Sequence, residues 1–320
     1  MTQVSFAFGP FPDYLYALAT AMFQTPMSAE TPTLDDLRRE IDEIDIAVHD
    51  LLMRRMALAD QIAHAKGEST GFIRPGREAL ILRRLIARHH GPFPKVVVAR
   101  IWREIISAMT ALEGPFTVAV YAPDSVGEGL HAVARAHYGS ERPISAHGTV
   151  MGVLRAVSDG QATVGVLPLP QGEESDPWWR SLTRDGADVP KIIARLPFAA
   201  VNRRFDGQEA LAVALAAPEA SGKDRSLLVV ENRGQLSRGA FKTAMSEAGF
   251  DVVDLQSWSA DGETPLALVE VERFFSPDDA PVARLSGTGD SPFGQAWLVG
   301  GYAVPFSVEE LVSDSEQEAG

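Results

Sequence analysis

The sequence predicts a multidomain chain: an all-α unit, then a small α/β domain, then a βαββαβ domain. Three observations carry this reading. Residues 34–66, LDDLRREIDEIDIAVHDLLMRRMALADQIAHAK, contain no proline and no glycine. Their apolar positions (Leu34, Leu37, Ile41, Ile44, Val48, Leu51, Leu52, Met56, Ala59, Ile62, Ala63) recur every three or four residues, as on one face of a long helix. From Phe116 short β-type runs alternate with helical ones, and from Ser226 to Pro305 the order becomes strand, helix, strand, strand, helix, strand.

Taken in order, residues 1–33 contain no Lys or Arg and so lack the charged start of a secretory signal; they are expected to be a disordered extension, with Met27 an alternative start. Thr33 supplies an N-cap, and Asp35 and Asp36 place negative charge where the helix dipole favours it. The helix that follows is near 50 Å long at ~1.5 Å per residue, more than a domain of this size buries on one side, so a partner helix or a second chain is expected. Lys66 precedes Gly67, which ends the helix, and residues 67–71 read as a loop.

ALILRRLIARHH is a second helix with Arg77 and Glu78 in its first turn, stopped by GPFP, and Lys95–Glu113 is a third, stopped by Gly114-Pro115. FTVAVYAP, ISAHG and ATVGVLPLP are then strand-like around the helices GLHAVARAHYG and VMGVLRAVSDG, a pattern for a partly parallel sheet, with QGEESDPWW a loop. SLLVVE, LSRGAFKTAMSEAG, DVVDLQSW, TPLALVEVERFF, DDAPVARL and QAWLVGGYAVP complete a ferredoxin-like order. The expected divisions are 1–33, 34–114, 115–215, 224–306 and a frayed acidic tail, 307–320.

The net charge is −14, yet residues 34–113 carry 13 Lys and Arg against 12 Asp and Glu, leaving −15 on the remainder. A locally basic region in an acidic chain suits a small anionic ligand, and argues against nucleic acid or a membrane surface as partner. Without cysteine, and with seven scattered His outside any H-E-x-x-H pattern, neither a disulfide framework nor a metal cofactor is expected. No apolar run reaches the 18 or so residues of a membrane span, and a cytoplasmic location is expected. On the first helix, at 100° per residue, Arg55 and Lys66 fall within about 20° of each other while Arg38 lies about 100° away. Arg55 and Lys66 can serve one pocket, and Arg38 is not expected to reach it from the same chain; the alternative is that all three are solvated surface charges.

Residues 34–113 resemble the all-helical class of chorismate mutases. The likeness runs through L-R-x-x-I-D-x-I-D at Leu37 to Asp45, L-L-x-x-R at Leu51 to Arg55, A-x-A-K at Ala63 to Lys66, R-E at Arg77 and Glu78, and I-I-S-A at Ile105 to Ala108. The resemblance implies an intertwined dimer that converts chorismate to prephenate. That rearrangement is unimolecular and pericyclic, so the enzyme has only to hold a dicarboxylate in its compact conformer and stabilise charge on the breaking ether oxygen. By similarity Arg55 and the partner chain's copy of Arg38 would hold the carboxylates, Lys66 would bond the ether oxygen, and Glu78 would accept the substrate hydroxyl with Arg77 beside it. The chain departs from the family pattern in having Arg74 where an acidic residue is frequent, Met109 where serine is common, and Glu113 in place of glutamine. A glutamate facing the ether oxygen has to be protonated to donate a hydrogen bond.

Residues 116–215 resemble, more weakly, a prephenate dehydratase domain through SAHGTVMGVLRAVSDGQATVGVLPLP, but without its active-site signatures: Gln208-Glu-Ala is the nearest counterpart of its catalytic threonine motif, and Pro168-Leu-Pro-Gln171 replaces P-I-E-N. Residues 226–305 resemble an ACT domain through Gly234-Gln-Leu236 and Gly300-Gly-Tyr302, with Gln256-Ser-Trp-Ser259 where amino-acid-binding members have E-S-R-P. The expected activity is that of a chorismate mutase in aromatic amino acid biosynthesis, acting as a homodimer and without a cofactor. The alternatives are a bifunctional mutase and dehydratase, and a non-catalytic partner that binds chorismate or an aromatic amino acid.

Overall fold

The computed structural model describes residues 32–66, 72–123, 127–172, 174–199, 208–285 and 291–312. The expectations for residues 1–31 and 313–320 therefore lie outside the described residues. The chain divides into two compact units, Met1–Ala59 and Asp60–Gly320.

Helix α1, Leu34–Lys66, has the bounds the sequence predicts. Its N-terminus is closed reciprocally: the Asp36 N–H donates to Thr33 Oγ1 at 3.2 Å, and the Thr33 N–H to Asp36 Oδ2 at 3.1 Å. In the first unit the apolar stripe of α1 is bare, with Leu37, Ile41, Ile44, Val48, Leu51 and Met56 all exposed.

The second unit takes in the last seven residues of α1 and then α2 (Pro75–Arg88) and α3 (Lys95–Glu113). It continues as β1 (Val118–Tyr121), α4 (Gly127–Tyr138), β2 (Ile144–His147), α5 (Val150–Ser158) and β3 (Val164–Pro168). A 3₁₀ turn at Trp178–Thr183, β4 (Lys191–Leu196) and β5 (Ala210–Ala214) follow. The chain then runs β6 (Asp224–Glu231), α6 (Arg238–Glu247), β7 (Val252–Trp258), β8 (Leu266–Glu272), α7 (Ala280–Leu285), β9 (Ala296–Ala303) and α8 (Val308–Leu311).

All nine strands form one sheet in the order β2-β1-β3-β5-β4-β9-β6-β8-β7. The first three are parallel, as the alternation of β and α segments predicts; β5 runs antiparallel to both β3 and β4. The last four, β9-β6-β8-β7, are antiparallel neighbours, so the βαββαβ reading stands. Period-two burial explains the layers. Leu227 and Val229 of β6 join Trp179, Ile192, Leu211 and Val299 on one face, while Leu228 and Val230 pack with Phe241, Met245 and Phe250 on the other.

Three features differ from the sequence reading. Strands β4 and β5 go unmarked there because they are buried on both sides and show no alternation; all five residues of β5 are buried. The expected loop QGEESDPWW ends in buried Trp178 and Trp179, because the 3₁₀ turn lays both indoles on the sheet. The tail does not fray at its start. Ser307 and Glu310 form a capping box, and Leu311 is buried against α2 and Phe198.

The two half-sheets meet where β4 runs parallel to β9, registered by the pair Ile192 and Gly300. Gly300 has φ +150°, and a Cβ there would lie 2.2 Å from the Ile192 carbonyl oxygen. Only glycine allows that approach. Lys191 Nζ donates to the Leu298 carbonyl across the same seam at 3.3 Å. Gly300→Ala should lower the unfolding free energy by about 2–4 kcal/mol. Chemical denaturation followed by tryptophan fluorescence checks this, and an unchanged midpoint would show that the seam tolerates a side chain.

Candidate functional site

Of the residues singled out for a dicarboxylate pocket, Arg38 and Arg55 lie in the first unit. Arg38 is exposed and ion-paired with Asp35 at 3.3 Å, one turn earlier on α1. Arg55 is half-buried. Seventeen helical steps separate them, about 25 Å at 1.5 Å per residue, so they cannot grip one small ligand from a single chain. Lys66 is the last residue of α1, and its side chain lies outside the described residues.

The remaining candidates lie in the second unit. Arg74 precedes α2 and is engaged with Glu219: its Nε donates to Oε1 at 2.8 Å, and Nη2 lies 2.8 Å from the same oxygen. The other Glu219 oxygen accepts the Arg77 backbone N–H at 3.4 Å. A carboxylate thus sits at the positive end of the α2 dipole. The Arg77 side chain is exposed. Gly76 is needed here because a Cβ would lie 2.6 Å from the Glu219 carbonyl oxygen.

Glu78, one turn into α2, points inward, and its Oε2 accepts from Arg103 Nη1 of α3 at 2.7 Å. Only 7% of the Arg103 side chain and 17% of the Glu78 side chain are exposed. The Arg103 guanidinium also lies 5.1 Å from the centre of the Phe198 ring. Burial pushes the Glu78 carboxyl up, while Arg103 pulls it down. Met109 is half-buried on α3, and Glu113 is the exposed last residue of that helix. The structure therefore brings Arg74 and Arg77 together around Glu219 and commits Glu78 to Arg103.

Sequence reasoning missed Arg103 and Glu219. Arg103 had a signal: it falls on the stripe Ala99, Ile106, Thr110 that α3 buries, where an arginine needs a partner. Glu219 had none, since only the fold brings it to Arg74.

Arg103 also faces His137 and Tyr138 of α4. Burial, with repulsion from Arg103 added, holds the His137 imidazole well below its ordinary pKa, and burial pushes the Tyr138 phenol up. A histidine neutral when folded and titrating normally when unfolded makes the unfolded state bind more protons below about pH 6.5, so its contribution falls as pH falls. Between pH 7.5 and 5.5 this amounts to about 1 kcal/mol. Urea unfolding should show that loss, and His137→Gln should remove it. Equal pH dependence in both proteins would mean that His137 protonates in the folded state.

A concavity of the same unit opens at the carboxyl ends of β1 and β3. It encloses about 560 Å³ between Tyr121, Leu130, Val150 and Trp178, with Gln171, Glu174, Gln208 and Glu209 on its polar wall. A smaller one, of about 90 Å³, lies near the seam between the half-sheets. There Tyr302 Oη donates to Glu270 Oε1 at 2.7 Å, Arg225 Nη1 donates to the same carboxylate oxygen at 2.5 Å, and Arg195 Nη1 donates to the phenol oxygen at 3.2 Å. Burial, with Glu270 adding to it, pushes the Tyr302 phenol up to about 12. Among the described residues no group of His, Asp and Glu is placed to hold a metal ion.

Residues 37–114 match the chorismate mutase type II family. The likeness expected of the helical segment is met by that match. Curated relatives extend it. The bifunctional chorismate mutase/prephenate dehydratase of Pseudomonas aeruginosa is 33% identical over 152 residues, covering 46% of this chain and 41% of the relative. The enzyme of the same name from Neisseria gonorrhoeae is 34% identical over 146 residues, covering 44% and 40%. The chain thus spans about two fifths of the length of these relatives. Among solved structures, prephenate dehydratase from Streptococcus mutans aligns with a TM-score of 0.42 at 14% identity, over 59% of this chain and 98% of that one. The prephenate dehydratase of Arthrobacter aurescens in complex with L-Phe aligns at 0.41 and 14%, over 63% and 96%. No helix among the described residues is long and apolar enough to cross a membrane.

Proposed function

We propose that the chain is a cytoplasmic chorismate mutase that works as a homodimer. The observation that carries this reading is the match of residues 37–114 to chorismate mutase type II. The cations Arg38, Arg55 and Lys66 stand along its first helix. Guanidinium groups suit carboxylates because they bond them bidentately, and an ammonium suits a single oxygen on which charge develops. The reaction needs no nucleophile, metal or redox group. It needs a preorganised positive pocket and an enforced chair-like conformer.

The ~25 Å between Arg38 and Arg55 along α1 supports a pocket completed by Arg38 of a second copy. The bare apolar stripe of α1 supports the same dimer, since pairing two such stripes removes them from water. In this reading Arg74, Arg77, Glu78 and Met109 line or support the pocket, and Glu113 helps only as a neutral donor. For Glu78 the pairing with Arg103 sets its carboxylate as an acceptor rather than a free charge.

Chorismate loss, followed by its ultraviolet absorbance, is the test. The wild type should turn over, and Lys66→Ala should lose on the order of 10²-fold in rate with the fold intact by circular dichroism. Mixing Arg38→Ala with Arg55→Ala subunits should restore part of the activity; a verified heterodimer with none would end the shared-pocket reading. Glu113→Gln should retain activity at neutral pH. A second reading, a mutase that also dehydrates prephenate, draws on the names of the curated relatives. Saturable phenylpyruvate formation at neutral pH would establish it, and its absence would leave the mutase alone.

A further inference from the structure

Glu78 is a carboxylate in a place where carboxylates do not stay ionised unaided. Its side chain is 17% exposed, and burial of that degree favours the protonated form. Arg103 opposes this, because its Nη1 donates to Glu78 Oε2 at 2.7 Å. The contact engages one oxygen, and Oε1 accepts no hydrogen bond among the described residues. A carboxylate held in this way is oriented through one oxygen and keeps the other as an acceptor.

The groups that frame the Arg103 guanidinium come from the α/β part of the unit. Its centre lies 5.1 Å from the centre of the Phe198 ring, two residues beyond the end of β4. Phe198 is buried, its ring meets Phe306 edge to face at 5.2 Å, and its carbonyl accepts the Phe306 N–H at 2.9 Å. His137 and Tyr138, the last residues of α4, are buried beside the guanidinium, and the Ser107 hydroxyl of α3 donates to the Tyr138 carbonyl. Arg103 Nε and Tyr138 Oη are buried with no hydrogen-bond partner among the described residues. The cluster is therefore not one in which every polar atom is tied down for stability.

The titratable groups facing Glu78 are Arg103 from α3, Tyr138 from α4 and Glu219 from the segment between β5 and β6. Tyr138 stays neutral because burial raises its phenol, and Glu219 adds negative charge, so Arg103 is the group among them that favours the ionised carboxylate. We propose that Arg103 is a positioning residue of the mutase pocket: it keeps the Glu78 carboxylate as an acceptor, and Phe198 and α4 hold Arg103 in place to do so. This deepens the mutase reading and rests on it. The helical segment then depends for its chemistry on residues of the α/β fold.

The test is kcat/KM for chorismate loss by the full chain, followed from about pH 5 to 9. A carboxylate that has to be ionised gives a limb on which activity falls as pH falls. Arg103→Met removes the cation, the Glu78 carboxyl rises further, and that limb should move up by about one pH unit or more. Arg103→Lys keeps the charge and should return most of the shift. Arg103→Gln, a donor without charge, stands in should the Met variant fold poorly by circular dichroism. Phe198→Leu, outside the helical segment, should move the limb in the same direction by a smaller amount. A purely structural role would instead lower activity by one factor at every pH. Superimposable limbs in the wild type and a folded uncharged variant would overturn the proposal, and so would Arg103→Lys behaving like Arg103→Met. A wild-type profile in Phe198→Leu would overturn the part assigned to the α/β fold. A wild type that leaves chorismate untouched would remove the mutase reading together with this inference, whereas turnover with unshifted limbs removes this inference alone.

Discussion

The seam between β4 and β9 is the constraint on which the second unit depends. One backbone pair, Ile192 with Gly300, turns two small sheets into a single nine-stranded one, and Gly300 is required because its α-carbon passes against the Ile192 backbone. Beside it Arg195, Tyr302, Glu270 and Arg225 form a chain of hydrogen bonds across the seam. A half-buried network of this kind is stable only when its members satisfy one another, so it holds the halves in one register. The apolar face then runs unbroken from Ala119 through Ile192 to Val299 and Trp258.

Guanidinium groups recur as the device that fixes helices to this sheet. Arg83 of α2 donates to the Ser221 carbonyl at 2.9 Å, the Ser221 hydroxyl at 2.6 Å, the Lys223 carbonyl at 2.8 Å and the Val304 carbonyl at 2.9 Å. One planar fork thereby satisfies three carbonyls at the edges of β6 and β9. Arg103 links α2 to α3 through Glu78. Arg180 lies 3.4 Å over the Trp258 ring, and the Trp258 indole donates to the Ser175 carbonyl at 2.9 Å, so residues 175–180 are tied to β7. The same chemistry that suits arginine to substrate carboxylates is used here for structure. Counting arginines alone therefore does not locate a ligand.

The sequence by itself determined the elements whose signals are local. The thirty-three residues of α1 follow from periodicity and from Thr33 and Asp36; α2 and α3 follow from Pro75, Gly91 and Gly114; the βαββαβ order follows from alternating apolar runs. The resemblance of residues 34–113 rested on side chains at fixed helical spacing, which one helix preserves whatever surrounds it. Tertiary structure decided everything that depends on distant residues. The union of the half-sheets rests on a contact between residues 192 and 300, and the pairing of Arg74 with Glu219 spans 145 positions. Strands β4 and β5, buried on both faces, carry no alternation to read. The close approach of Gln208 to Gly129 likewise arises only in the fold, and spacing along the chain carries no trace of it.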